Sequence, residues 1–164
     1  IKIVNVDKGF IPFKLYDFQI EIIKCILENR FVICKLPRQS GKSITVASML
    51  LWYALFNPEF NIAILAHKAE QSRVILDRIQ RSYEALPPWL QQGIGYWNKG
   101  SLELENGSKI KAAATSAGSI RGDSFNLIYL DEFAFVDGNL QASFFASVFP
   151  TISSGETTKV LITS

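Results

Sequence analysis

Histidine and methionine each occur once, as His67 and Met49, and cysteine only twice, as Cys25 and Cys34, in 164 residues. Neither Cys-x-x-Cys nor Cys/His spacing suited to a metal is present, so the two thiols are expected to be buried and free, in a reducing compartment. Long apolar runs are missing too. The longest, Ile44 to Phe56, is interrupted by Thr45 and Ser48 and stops short of the roughly 18–20 residues that cross a bilayer. No basic-then-apolar leader opens the chain, which reads as soluble, intracellular and not membrane-bound. An excess of one charge is also absent: 17 Lys and Arg stand against 15 Asp and Glu, a formal net charge of +2. Such a balance marks no nucleic-acid surface, because that signature needs basic residues gathered on one face.

Repeats, low-complexity tracts and Pro/Gly/Ser linkers are lacking, which leaves one unit over 1–164. What is present suits a packed core: 48% apolar residues, with twelve Phe, five Tyr and three Trp. A domain of this size buries about 68–70% of its unfolded surface. The first residue is Ile1, and Lys159 to Ser164 is a strand-like run, so the sequence reads as a piece of a longer chain.

Periodicity sets the expected elements. Leu15, Phe18, Ile22, Ile23, Ile26 and Leu27 carry helical spacing up to Glu28, and Phe31 to Leu36 reads as a buried strand bounded by Pro37. Lys42 to Phe56 is apolar on nearly all sides, a helix packed between layers, and Asn61 to Ala66 is a second buried strand. Ala69 to Leu86 is amphipathic, with Arg73, Asp77, Arg78 and Arg81 on its wet side. Strand and helix in alternation predict a mostly parallel α/β sheet with right-handed crossovers. Residues 101–113 depart from that pattern: Leu102, Leu104 and Ile110 alternate with charges around Asn106-Gly107, an antiparallel hairpin inserted into the fold. Leu127 to Leu130 is a further strand, Leu140 to Val148 a short helix, and Lys159 to Thr163 a final strand.

Between a strand and a helix lies Leu36-Pro37-Arg38-Gln39-Ser40-Gly41-Lys42-Ser43. A glycine lets the backbone approach phosphate, and consecutive N–H groups at a helix N-terminus present the positive ends of dipoles. Lys42 is placed to reach β and γ phosphates, and the Ser43 hydroxyl to ligate magnesium. The usual pattern begins with a glycine where this chain has Leu36. Asp131 and Glu132 end a strand, the position that points into a ligand crevice in an open parallel sheet. There an aspartate holds magnesium and a glutamate polarises water for attack on the γ phosphate. Arg38, inside the loop, can contact phosphate through its guanidinium fork. Arg121 sits in a glycine-flanked loop, where it either forms an ion pair or reaches a neighbouring subunit's nucleotide. Tyr16 and Gln19 offer a ring and an amide for adenine, chemistry that also starts helices. His67 lacks a second ligand at metal spacing, and Trp89, Tyr96, Trp97, Phe144 and Phe145 are expected to pack or cover the core.

These motifs together resemble the ATPase domain of the large terminase subunit of tailed bacteriophages, in its T-even-like group. The similar segments are 13–19, 38–43, Trp97-Asn98-Lys99-Gly100-Ser101, Asn106-Gly107-Ser108, Ile120-Arg121-Gly122 and Asp131-Glu132-Phe133-Ala134-Phe135. The resemblance accounts for the missing glycine, since the family's loop carries an arginine. It implies a P-loop ATPase using Mg2+ and ATP to drive double-stranded DNA into a prohead, within the cytoplasm of an infected host. Glu132 becomes the catalytic carboxylate, Arg38 a phosphate contact, and Arg121 a finger acting between subunits of a homo-oligomeric ring. The nucleotide site takes in Tyr16, Gln19, Pro37, Arg38, Gln39, Ser40, Gly41, Lys42 and Ser43, with Ser43 and Asp131 at the metal. Thr163-Ser164 would begin the segment that couples hydrolysis to DNA movement. Portal protein and the small terminase subunit are the implied partners, and the family's nuclease half has no counterpart in 1–164. A helicase motor and a nucleotide-binding regulator without turnover remain as alternatives.

Overall fold

Helical spacing of apolar residues and short β-branched runs alternate along the chain, and the elements follow them. The structure is a computed structural model that describes residues 1–5, 9–115, 123–155 and 157–164. The elements are β1 (Lys2–Asn5), β2 (Gly9–Pro12), α1 (Asp17–Glu28), β3 (Phe31–Cys34), α2 (Lys42–Phe56), β4 (Asn61–Ala66) and α3 (Ala69–Glu84). After them come β5 (Ile94–Trp97), β6 (Ser101–Leu104), β7 (Lys109–Ala114), β8 (Leu127–Asp131), α4 (Gly138–Ser154) and β9 (Lys159–Thr163). Strands β1 and β2 form a separate antiparallel pair. The other seven make one sheet in the order β3-β9-β8-β4-β7-β6-β5.

From β3 to β7 every pairing is parallel; β6 and β5 then add antiparallel. The expected α/β architecture is therefore present. Its hairpin is present too, turning at Gly107 with φ +84°, where a side chain would be strained. It is less of an insertion than the sequence suggests, because β7 lies parallel to β4 from Asn61↔Lys109 to Ala66↔Ala114 and so belongs to the main sheet.

Both faces of the sheet are covered, which is why its central strands are apolar without interruption. Ile62, Ile64, Leu127 and Tyr129 point to the side packed by α2 and α3. Their neighbours Ala63, Leu65, Ile128 and Leu130 point to the other side, against Phe144, Val148 and Ile152 of α4. Helix α2 is buried almost all round, and α3 on one face through Ile75, Leu76, Ile79 and Tyr83.

Several expectations change. Strand β3 is not buried: it is the sheet's edge, so Val32 turns inward while Phe31 and Ile33 are 57% and 76% exposed. Cys25 is exposed and Cys34 half-buried, its thiol pKa pushed up by burial and then by Cys25. Trp89 and Tyr96 lie largely in solvent, whereas Phe144 is buried and Trp97 meets Tyr83 edge-on. Helix α4 runs to Ser154, longer than its sequence pattern indicated. No helix among the described residues is long and apolar enough to cross a membrane.

Two helix C-termini are closed from a distance. Arg30 Nε donates to the carbonyl of Thr158 at 2.9 Å, and Nη2 to those of Ile152, at 2.6 Å, and Gly155, at the end of α4. Lys159 Nζ donates to the carbonyls of Ile26, Leu27 and Asn29 at 2.9–3.0 Å, at the end of α1. A cation at a helix C-terminus satisfies its orphan carbonyls and opposes the negative end of its dipole.

Candidate nucleotide site

Registers Cys34↔Thr163, Leu130↔Ile162 and Ala66↔Asp131 align the carboxyl ends of the parallel strands along one rim. The loop after β3 and the acids after β8 therefore emerge side by side. A cleft of about 430 Å3 lies there, lined by Arg38, Gln39, Ser40, Gly41, Lys42, Ser43, Ile44, Arg78 and Glu132. Arg38 to Ser43, which the sequence proposes for phosphate, all line it, joined by Ile44 and by Arg78, which the sequence did not single out.

The loop has the geometry of an anion cradle. Gln39 and Gly41 both adopt left-handed backbone, φ +61° and +74°, ahead of the fifteen-residue helix α2, the kind of loop conformation from which successive N–H groups form anion-binding concavities. Glycine is required at position 41: a Cβ there would lie 2.8 Å from Gln19 Nε2. The Ser40 hydroxyl is buried with no hydrogen-bond partner among the described residues. An orphaned donor inside the cradle fits a phosphate oxygen as its missing acceptor.

Gln19, only 2% exposed, braces this loop from α1. Its Oε1 accepts from the Tyr16 backbone N–H at 3.0 Å, and its Nε2 donates to the Ser40 carbonyl at 3.3 Å. One amide thus fixes the start of α1 and the crest of the loop together. Tyr16 is 69% exposed and stacks against Phe18, with centroids 6.0 Å apart, beside the loop rather than in the lining of the cleft. Pro37 precedes the cleft without lining it.

Across the cleft, Lys42 Nζ stands 3.8 Å from Glu132 Oε1, near enough to attract but too long for a hydrogen bond. Glu132 holds a left-handed backbone, φ +49°, a strained setting for a non-glycine residue. Such strain costs about 1–3 kcal/mol and persists where the surroundings fix it, commonly at functional sites. Asp131 is buried beside it. Its Oδ1 accepts the Tyr129 hydroxyl at 2.8 Å and the Thr163 hydroxyl at 2.9 Å, which leaves Oδ2 without a hydrogen bond among the described residues. Thr163 at the end of β9 is thereby tied to the acidic strand. A carboxylate oxygen left open and the Ser43 hydroxyl are hard oxygen donors of the kind Mg2+ takes, alongside phosphate and water. No group of three or more His, Cys, Asp or Glu suited to a metal occurs among the described residues.

Burial, followed by the charge of Asp131, pushes the Tyr129 hydroxyl well above the usual tyrosine range, so it remains a donor at neutral pH. Because the unfolded chain loses this proton near about pH 10 and the folded one holds it, stability should fall as pH rises past that value. In the Tyr129→Phe protein that decline should be shallower, and stability near neutral lower by about 1–2 kcal/mol for the lost donor. Urea unfolding at about pH 7 and about pH 11 reads both effects; parallel declines in the two proteins would contradict the assignment.

Arg121 lies within residues 116–122, outside the described residues. His67 is exposed just beyond β4, away from any metal-ligand group among the described residues.

Comparison with known proteins agrees with this fold. The large terminase of bacteriophage HK97 superposes with a TM-score of 0.79 at 21% identity, covering 99% of this chain and 35% of that one. The large terminase ATPase domain of Thermus phage P74-26 gives 0.65 at 20% identity, covering 92% of this chain and 65% of its own. At these identities the likeness is one of fold, and this chain spans between about a third and two thirds of the relatives' lengths. A family model described as terminase large subunit, T4likevirus-type, N-terminal, matches residues 33–164. Because that match starts within β3 and runs past β9, it takes in the loop, the acids and Arg78 alike, and the chain belongs to the T4-like type of terminase large subunit, as part of its N-terminal region.

Proposed function

We propose that this chain is the ATP-hydrolysing motor module of a terminase, spending Mg2+-ATP to move double-stranded DNA into a prohead. The observation that carries the reading is the cleft itself, where a cradle of backbone N–H groups and Lys42 faces Glu132 across one small volume. Lys42 and Ser40 bind phosphate oxygens, Arg38 neutralises charge from the mouth, and Glu132 takes the proton of the attacking water. Ser43 and Asp131 are the residues that would hold magnesium, which would supply charge neutralisation to the bound phosphates. Tyr16 serves the adenine end and Arg121 a neighbouring subunit in a ring, roles that rest on sequence resemblance, while Gln19, its amide taken up by the Tyr16 N–H and the Ser40 carbonyl, acts by bracing the phosphate loop. Portal protein, small terminase subunit and the cytoplasm of an infected host follow from family membership in the same way. Support for the nucleotide also comes from another thermophilic phage large terminase of this fold, seen with ADP and with ATP-gamma-S. Nothing observed favours the helicase or regulator alternatives.

Phosphate release from Mg2+-ATP, with and without duplex DNA, tests the reading. The Lys42→Ala protein should lose hydrolysis and bind ATP at least about tenfold more weakly, the loss of one charge-assisted contact. Wild-type protein that neither binds nor hydrolyses ATP would overturn it.

A further inference from the structure

Three cations and one carboxylate line the phosphate cleft, and one of the cations comes from neither the loop nor the acidic strand. Arg38 and Lys42 belong to the loop and the start of α2, whereas Arg78 comes from the third turn of α3. Helices α2 and α3 pack on the same face of the sheet, so Arg78, exposed on α3, lines the cleft together with Ile44 of the first turn of α2. On α3 it has no carboxylate to pair with. The positions that face it, three and four residues away, are Val74, Ile75, Arg81 and Ser82. The adjacent Asp77 is engaged by Arg81, Nε to Oδ2 at 2.9 Å. Among the described residues Arg78 makes no ion pair, although Glu132 lines the same cleft.

An unpaired guanidinium beside a concave cluster of N–H donors, with positive charge outnumbering negative, suits a polyanion better than any group the protein itself supplies. We propose that Arg78 is a second guanidinium contact for the phosphates of the bound nucleotide, delivered from α3 rather than from the loop. This inference rests on the reading of the cleft as an ATP site. Its planar fork grips two phosphate oxygens at once, which a lysine cannot reproduce. Because α3 follows β4, which pairs with the acidic strand β8, the contact also makes the position of α3 sensitive to how many phosphates the cleft holds.

The test is equilibrium binding of fluorescent ATP and ADP analogues, with and without Mg2+, to wild type, Arg78→Gln, Arg78→Lys and Lys42→Ala. Arg78→Gln is expected to weaken ATP binding about tenfold, and Arg78→Lys by less, since it keeps charge but loses the fork. The thermal midpoint of the nucleotide-free protein should stay unchanged in both, while the rise produced by ATP shrinks. ATP affinity within about twofold of wild type in Arg78→Gln, with Lys42→Ala impaired, overturns the role of Arg78 and leaves the ATP site standing. A lowered nucleotide-free midpoint with unchanged affinity overturns it too, as a purely structural effect. No ATP binding by wild type, or none lost in Lys42→Ala, removes the ATP-site reading and this inference with it.

Discussion

Glu132→Gln should bind ATP nearly as tightly as wild type and turn it over about 10^2–10^4-fold more slowly, the span that a positioned general base contributes. The amide keeps the size of the carboxylate and its strained left-handed backbone, so the cleft should keep its shape. The substitution removes the negative charge and, with it, the proposed capacity to take a proton from water. Because Glu132 stands 3.8 Å from Lys42 and not within a hydrogen bond of it, its removal should release Lys42 slightly toward phosphate rather than disorder it. Single-turnover phosphate release beside equilibrium ATP binding separates the two effects. Turnover in Glu132→Gln within about tenfold of wild type would move the base to another residue.

The second large effect concerns stability. Arg30→Ala should destabilise the protein by about 3 kcal/mol, since one guanidinium serves the carbonyls of Ile152, Gly155 and Thr158, and a hydrogen bond to a charged group contributes about 1.5–3 kcal/mol net, toward the low end in sum because these carbonyls can turn to water once the half-buried side chain is gone. Its stacking over Phe31, 5.1 Å from the ring centroid, is lost as well. Urea unfolding with an unchanged slope and a lowered midpoint would report this directly. Arg30→Lys should recover only part of the loss, because an ammonium cannot reach three carbonyls in the planar arrangement of a guanidinium. A midpoint equal to wild type in Arg30→Ala would mean that water replaces the bonds at no cost.

The residues that announced themselves in the sequence did so for local reasons. A glycine-lysine-serine step between a strand and a helix, and paired acids at a strand end, are short-range patterns whose chemistry does not depend on distant partners. Strands β4 and β8 were legible because burial on both faces leaves an unbroken apolar run. Strands β1, β2 and β5 were not, since they are short, and in β2 and β5 three of four residues are exposed, leaving no periodicity to read. The exposure of β3 followed from strand order, which is decided by pairing with a strand near the other end of the sequence. Arg78 reads as a wet-side residue on any helical projection of α3; only the packing of α3 against α2 brings it into the lining of the cleft. The caps supplied by Arg30 and Lys159 lie 128 and 133 positions from partners they hold, beyond the reach of capping rules that look one turn ahead. For Gln19 the sequence offered adenine recognition or helix-start chemistry, and the structure shows the amide bonded to the start of α1 and to the loop at once.

Strand β9 has a consequence for the order in which the molecule comes into being. It is the only strand paired with β3 among the described residues, and it separates β3, the strand that leads into the phosphate loop, from the acidic strand β8. While a ribosome is still making residues 35 to 158, β3 has nothing to pair with, whereas β4, β7 and β8 can already join. Contacts of such long sequence separation pay their loop-closure entropy late and slow folding. Loop and acids therefore come into register only when β9 is in place, so the proposed capacity to grip ATP should arise in nascent chains abruptly, once β9 clears the exit tunnel, and not in proportion to length.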